Sequence, residues 1–113
     1  MKSIFLTVLL LVSSSSNADQ VGIASYYGSK FHGRKMANGK TFNKWAISAA
    51  HKTLPLGTVV KITNLYNKKS IITIISDRWP FVKNRILDLS LGAKIALDFD
   101  GLVKVSVKVI KKV

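Results

Sequence analysis

Val59-Val60-Lys61-Ile62-Thr63-Asn64, then Leu65-Tyr66-Asn67-Lys68-Lys69, then Ser70-Ile71-Ile72-Thr73-Ile74-Ile75-Ser76 is the stretch that decides the fold class. Its outer parts are rich in Val, Ile and Thr. A branched Cβ crowds a helix turn but fits a pleated strand. The middle part is polar and centred on Asn67, so the chain reverses there and the two runs form a hairpin. Moving outward, Leu102-Val103-Lys104-Val105-Ser106-Val107-Lys108-Val109 is the cleanest alternation in the sequence. Its valines face one way, and Lys104, Ser106 and Lys108 face the other, the period of a half-buried strand.

Three shorter runs fit the same pattern: Val21 to Tyr27, Ala46 to Ala50 and Arg85 to Leu89. One helix is expected over Leu91 to Leu97, with Ser90 as its cap, although Gly92 weakens it. Asp98 to Gly101 then turns into the last strand. The glycine-rich stretch Gly28 to Gly39 reads as a surface loop, where binding residues collect. Six short strands and one helix suggest a small closed barrel.

The first residues read differently. Lys2 precedes an apolar run, Ile4 to Val12, interrupted only by Thr7. Ser16-Asn17-Ala18 has the small-x-small form of a cleavage site. A membrane span needs roughly 20 apolar residues, so a signal peptide over residues 1–18 is expected, with the cut after Ala18. Residues 19–113 then form one exported domain, in the periplasm or at the cell wall and beyond. The sequence has no cysteine. It therefore offers neither a disulfide staple nor a site for a bacterial lipid anchor, and no membrane anchor is expected once the signal is removed.

Lys and Arg number 18 against five acids, a net charge of +13, and every acid is an aspartate. Such a balance favours anionic partners. Nucleic acid rarely meets an exported protein and is not expected here. Wall polymers fit the compartment better. Lysines that keep a β-protein soluble and blunt its edge strands are the plainer explanation.

Few residues are left for chemistry. There is no thiol, no Gly-x-Ser-x-Gly elbow and no Walker or dinucleotide glycine pattern. Two histidines, His32 and His51, make a poor zinc set, so no metal and no cofactor is expected. Carboxylates remain. Asp98 and Asp100 flank a turn, and Asp19 precedes the first strand. Asp77 ends the most apolar strand, and Asp88 sits inside Ile86-Leu87-Asp88-Leu89. An aspartate among apolar neighbours is paired, hydrogen-bonded or functional. Ion pairs with Arg78 or Arg85 stay open as the structural alternative.

Seven segments in order carry a resemblance: Gly22-Ile23-Ala24-Ser25-Tyr26-Tyr27-Gly28; Phe31-His32-Gly33-Arg34; Ala37-Asn38-Gly39; Ala49-Ala50-His51-Lys52-Thr53-Leu54-Pro55-Leu56-Gly57-Thr58; Val60-Lys61-Ile62-Thr63-Asn64; Asp77-Arg78 with Pro80-Phe81; and Arg85-Ile86-Leu87-Asp88-Leu89-Ser90. Together they resemble the rare lipoprotein A (RlpA) family. The resemblance implies a mainly β fold, a six-stranded double-psi β-barrel with one or two short helices, related to expansin domains. It implies a lytic transglycosylase that cleaves peptidoglycan strands, preferably denuded ones, and leaves 1,6-anhydromuramyl ends. It carries the acid/base role onto Asp77, with Asp88 as second choice and His51 as an orienting group. Tyr26, Tyr27, Asn38, Lys40, Arg78 and Trp79 would line the substrate groove. The family places a glutamate after Ala-Asn-Gly, where this sequence has Lys40, and a glycine where it has Trp79. Lys40 raises the alternative of a non-catalytic module that binds or loosens wall glycan. With the residues ending at Val113, the barrel is expected to find glycan without the repeat domain that often follows it in the family.

Overall fold

The structure is a computed structural model, and it describes residues 19–27, 31–78 and 84–112. The expected signal peptide and Trp79 lie outside the described residues.

Among the described residues six strands form: β1 (Gln20–Tyr26), β2 (Ala49–His51), β3 (Val59–Asn64), β4 (Ser70–Asp77), β5 (Arg85–Leu89) and β6 (Val103–Lys111). One helix among them, α1 (Leu91–Leu97), precedes β6. The strands close into a barrel in the order β1-β5-β2-β4-β3-β6. Two contacts are parallel, β1 with β5 and β2 with β4, and the other four are antiparallel. This mixed closure is the double-psi barrel.

The period-two pattern fills the interior. Val60, Ile62, Ile75, Leu87, Leu89, Val105 and Val107 point inward, with Ala24 and Ala49 where strands crowd. Ala93 and Leu97 of α1 plug the same core. Each buried Val, Leu or Ile contributes about 1.5–3 kcal/mol. The expected β3–β4 hairpin forms, with Lys61 opposite Ile72 and Ile62 opposite Ile71.

Two boundaries differ from expectation by more than one residue. β2 begins at Ala49, because residues Asn43 to Ser48 serve the helix start instead of a ladder. Ser90 Oγ accepts from Ala93 N at 3.2 Å and from Ser48 N at 3.1 Å, and donates to Ala46 O. Gly92, which looked like a weakness in the helix, is required by this packing. A Cβ there would run into the Trp45 carbonyl, and Gly92 N donates to Lys44 O at 2.8 Å. At the other end β6 runs on to Lys111, where a bulge between Val59 and Val60 absorbs the register shift against β3.

Candidate active site

The site lies on the outside of the barrel, where β1, β5, β2 and the end of β4 meet. Alternation along β1 sends Ser25 and Tyr27 to this side. Ser25 Oγ donates to Asp88 Oδ1 at 3.0 Å, and the Tyr27 hydroxyl donates to Asp77 Oδ2 at 3.1 Å. Cross-strand pairing sets the spacing. Ala50 of β2 stands opposite both Asp88 of β5 and Asp77 of β4. A small residue between two carboxylates leaves them within each other's field.

Residues 31–42 fold down over this face. Lys35 bridges Thr41, Met36 N donates to Lys40 O, and Gly39 takes a positive φ of 88° at the turn. Asn38-Gly39 thus makes a tight turn, the use to which an Asn-Gly pair is suited. Asn38 Oδ1 accepts from Lys40 N at 2.9 Å, and Asn38 N donates to Ser76 O. Ala37 N donates to Asp77 Oδ1 at 2.9 Å. The Ala37-Asn38-Gly39-Lys40 turn is therefore fastened to the end of β4, beside Asp77. Phe42, Tyr27 and Ala50 form a second apolar cluster beneath it, with Phe31 and Met36 against them. The Tyr27 and Phe42 rings meet edge to face at 4.8 Å.

A cavity of about 180 Å³ opens here, lined by Tyr27, Phe31, Arg34, Lys35, Phe42 and Asp77. Its floor is aromatic, its rim is basic, and one carboxylate faces into it. A larger hollow of about 650 Å³ lies elsewhere, between the β3–β4 turn, α1 and the start of β6. No aspartate of the β1–β5–β2–β4 face lines it, so the smaller cavity is the one that bears on chemistry.

The two carboxylates have different surroundings. Asp77 is half-buried and accepts three hydrogen bonds: from Tyr27, from Ala37 N and from its neighbour's Arg78 N at 2.9 Å. Asp88 accepts from Ser25. Burial pushes its pKa up to about 6; the Ser25 hydrogen bond and the Arg85 charge pull against this, and the Asp77 charge adds to it. Burial, then the two aspartates, hold the Tyr27 hydroxyl far above the usual tyrosine range, so it stays a donor.

Neither aspartate is ion-paired with an arginine among the described residues. The Arg78 guanidinium turns away from its neighbour. It donates to Leu54 O at 2.6 Å and His51 O at 3.1 Å, pinning the 51–54 turn to β4. His51 is buried, with both ring nitrogens engaged. Nδ1 accepts from Thr53 N and Leu54 N, each at 3.1 Å, which places the ring proton on Nε2, 2.8 Å from Gln20 Oε1. Burial, then the Arg78 and Lys52 charges, push its pKa down.

The structure thus gathers Tyr27, Asn38, Lys40, Asp77 and Asp88 around one face. Lys40 is exposed on the turn fastened beside Asp77, outside the lining of the cavity. His51 and Arg78 make the adjoining turn instead of meeting Asp77 through their side chains. Tyr26 points to the other side of β1, edge-on to Phe99 at 6.5 Å, with Lys94 Nζ over its ring. The sequence reading passed over Ser25, Arg34, Lys35 and Phe42. Ser25 had a signal, since it stands two residues before Tyr27 on one strand and so shares its side.

A closed double-psi barrel with paired aspartates on its outer face defines the class. The chain matches the family described as lytic transglycolase over residues 19–109 and belongs to it. An endolytic peptidoglycan transglycosylase RlpA of Campylobacter jejuni is 48% identical over 102 residues, covering 88% of this chain and 36% of that protein. A probable enzyme of the same name from Synechocystis is 57% identical over 76 residues, 67% of this chain and 24% of that protein. The Pseudomonas aeruginosa RlpA is 48% identical over 89 residues, 79% of this chain and 26% of its own length. The chain therefore spans less than half the length of these relatives. Among solved structures, the Streptomyces papain inhibitor superposes with a TM-score of 0.64 at 22% identity, covering 83% of this chain and 96% of that one. That likeness is one of fold.

Proposed function

We propose that residues 19–113 act outside the cytoplasm as a lytic transglycosylase domain on the glycan strands of peptidoglycan. The observation that carries this reading is the Asp77–Asp88 pair, whose members differ in environment. Enzymes that cleave glycosides need one carboxyl that keeps a proton and benefit from a second that stays anionic. Asp88, with its pKa raised to about 6, suits the first role better than the resemblance alone suggested. Asp77 faces the cavity, held there by three donors, where charge growing on a bound sugar would meet it.

In the reaction, a carboxyl proton passes to the glycosidic oxygen as its bond to the muramyl C1 breaks. Positive charge grows at C1 and the ring oxygen, and the Asp77 carboxylate offsets it. The muramyl C6 hydroxyl then closes on C1. Its proton returns to the carboxylate that gave the first one, and an anhydro end remains. Tyr27 holds Asp77 in place. The aromatic floor gives a sugar ring an apolar face to rest on, and the Arg34–Lys35 rim suits the carboxylates of a wall polymer. Strands stripped of stem peptides are the preferred substrate in this reading, as the resemblance implies.

Lys40 supports a second reading, a module that binds or loosens wall glycan without cutting it. Digestion of denuded glycan strands, followed by mass spectrometry, separates the two. Anhydromuramyl products that vanish in Asp88→Asn support the enzyme. Sedimentation with purified sacculi but no such products at high protein concentration overturns it in favour of the binding module.

A further inference from the structure

The outward face of β4, β3 and β6 is a different kind of surface. Lys61 stands in register between Ile72 and Lys108. The next row sets Val59 between Ile74 and Lys111, and the bulge adds Ile110. Across to β1, Val21 pairs with Ser106 and Ile23 with Lys104. The aliphatic side chains here are open to water: Ile72 is 63% exposed, Val21 52%, Ile110 49% and Ile74 43%.

Two features of this face need a cause. Lysines outside a sheet often guard an edge strand, but a closed barrel has no edge and these strands are paired on both sides. Lys61 and Lys108 stand directly opposite each other, an arrangement that repels. The ion pairs among the described residues are Lys69–Asp98 and Lys94–Asp100, and neither involves this face. A soluble polyanion would satisfy the ammonium groups and leave the isoleucines unexplained. An anionic bilayer satisfies both, with ammonium groups at lipid phosphates and short aliphatic side chains between the head groups.

We propose that the β4–β3–β6 face docks on a bilayer surface containing anionic phospholipid. In the barrel order, β3 and β6 lie across from β2 and β5. Docking there leaves the β5–β2 side of the barrel, which carries Asp88, facing away from the lipid. The inference stands independently of the reaction.

Residues 19–113 hold every strand of the closed barrel, so this part is tested without residues 1–18, whose apolar run would bind lipid by itself. It is sedimented with vesicles of 30% phosphatidylglycerol in phosphatidylcholine, and with phosphatidylcholine alone. Binding is expected only to the first. Lys61→Gln/Lys108→Gln weakens it about 30-fold, since each lysine near an anionic surface contributes roughly five-fold. Ile72→Ser/Ile74→Ser weakens what survives in high salt. Lys44→Gln/Lys52→Gln, the same charge change elsewhere, weakens it much less. Equal losses for both lysine pairs overturn the proposal, as does failure to bind either vesicle. Tight binding to soluble polyphosphate that ignores the isoleucine change assigns the face to a polyanion instead, and a dimer that dissociates in Ile72→Ser/Ile74→Ser assigns it to a second copy. Unchanged melting temperatures show that the variants are folded.

Discussion

The Tyr27 hydroxyl donates to Asp77 Oδ2 at 3.1 Å across fifty residues of sequence. This bond joins the end of β1 to the end of β4 and positions the carboxylate that faces the cavity. Tyr27→Phe keeps the ring and its contact with Phe42 but removes the donor. A stability loss of about 1 kcal/mol is expected by urea titration. Turnover of glycan should fall about tenfold, equivalent to about 1.4 kcal/mol in the barrier. Loss of stability without loss of turnover would show that Asp77 needs no holding.

Asp88 predicts a pH signature. Its folded pKa of about 6 exceeds the ordinary 3.8. The folded chain therefore holds this proton more tightly than the unfolded one. The contribution to stability is full below about pH 3.8 and is lost as pH rises through about 6. Asp88→Asn cannot ionise. It should melt about 4 °C or more above the parent at pH 8 and show little gain at pH 3.5, read by circular dichroism.

His51 predicts the opposite trend. Its folded pKa is lowered, so its contribution is full above the unfolded value near 6.5 and is lost as pH falls through the folded one. His51→Gln should cost about 2 kcal/mol at pH 8 by urea denaturation and less at pH 5. A constant difference at the two pH values would contradict the neutral ring.

Lys40 is exposed on a turn fastened beside Asp77. Lys40→Glu restores the acid that the resemblance places there. Stability should change by no more than about 0.5 kcal/mol, while release of anhydromuramyl ends rises at least about tenfold. No rise would mean that the Lys40 charge does not limit the reaction.

Gly92→Ala tests the packing of α1. Helix propensity alone favours alanine by about 1 kcal/mol. The Trp45 carbonyl opposes it, and a net loss of about 2 kcal/mol is expected in a chemical melt. A gain would show that the 43–48 segment moves aside.

The barrel was legible because Leu102 to Val109 alternates cleanly and Val59 to Ser76 is rich in β-branched residues around a polar turn. Alternation did not mark the second stretch, since Ile71, Ile72, Ile74 and Ile75 are apolar on both faces of their strand. The segment around Ala46 misled, because its backbone bonds go to Ser90 and Gly92, distant in sequence and invisible to local pattern. Asp77 and Asp88 stood out as scarce acids among apolar neighbours. The difference in their surroundings did not, since it depends on Ala50 standing between them and on how deeply each is buried. The role of His51 was hidden for a related reason. A histidine whose ring caps its own following turn looks, in sequence, the same as one that reaches across a cleft.

The first strand has its partners late in the sequence. Gln20 to Ala24 pair with Val103 to Val107 on one side, and Ile23 to Tyr26 with Arg85 to Leu89 on the other. A chain emerging residue by residue, from a ribosome or through a channel, keeps that strand waiting until nearly everything else has appeared. Closure is then a late, all-or-none event with a slow rate set by long-range pairing. Until it happens the apolar hairpin from Val59 to Ser76 stands open, and a chaperone has its longest opportunity there.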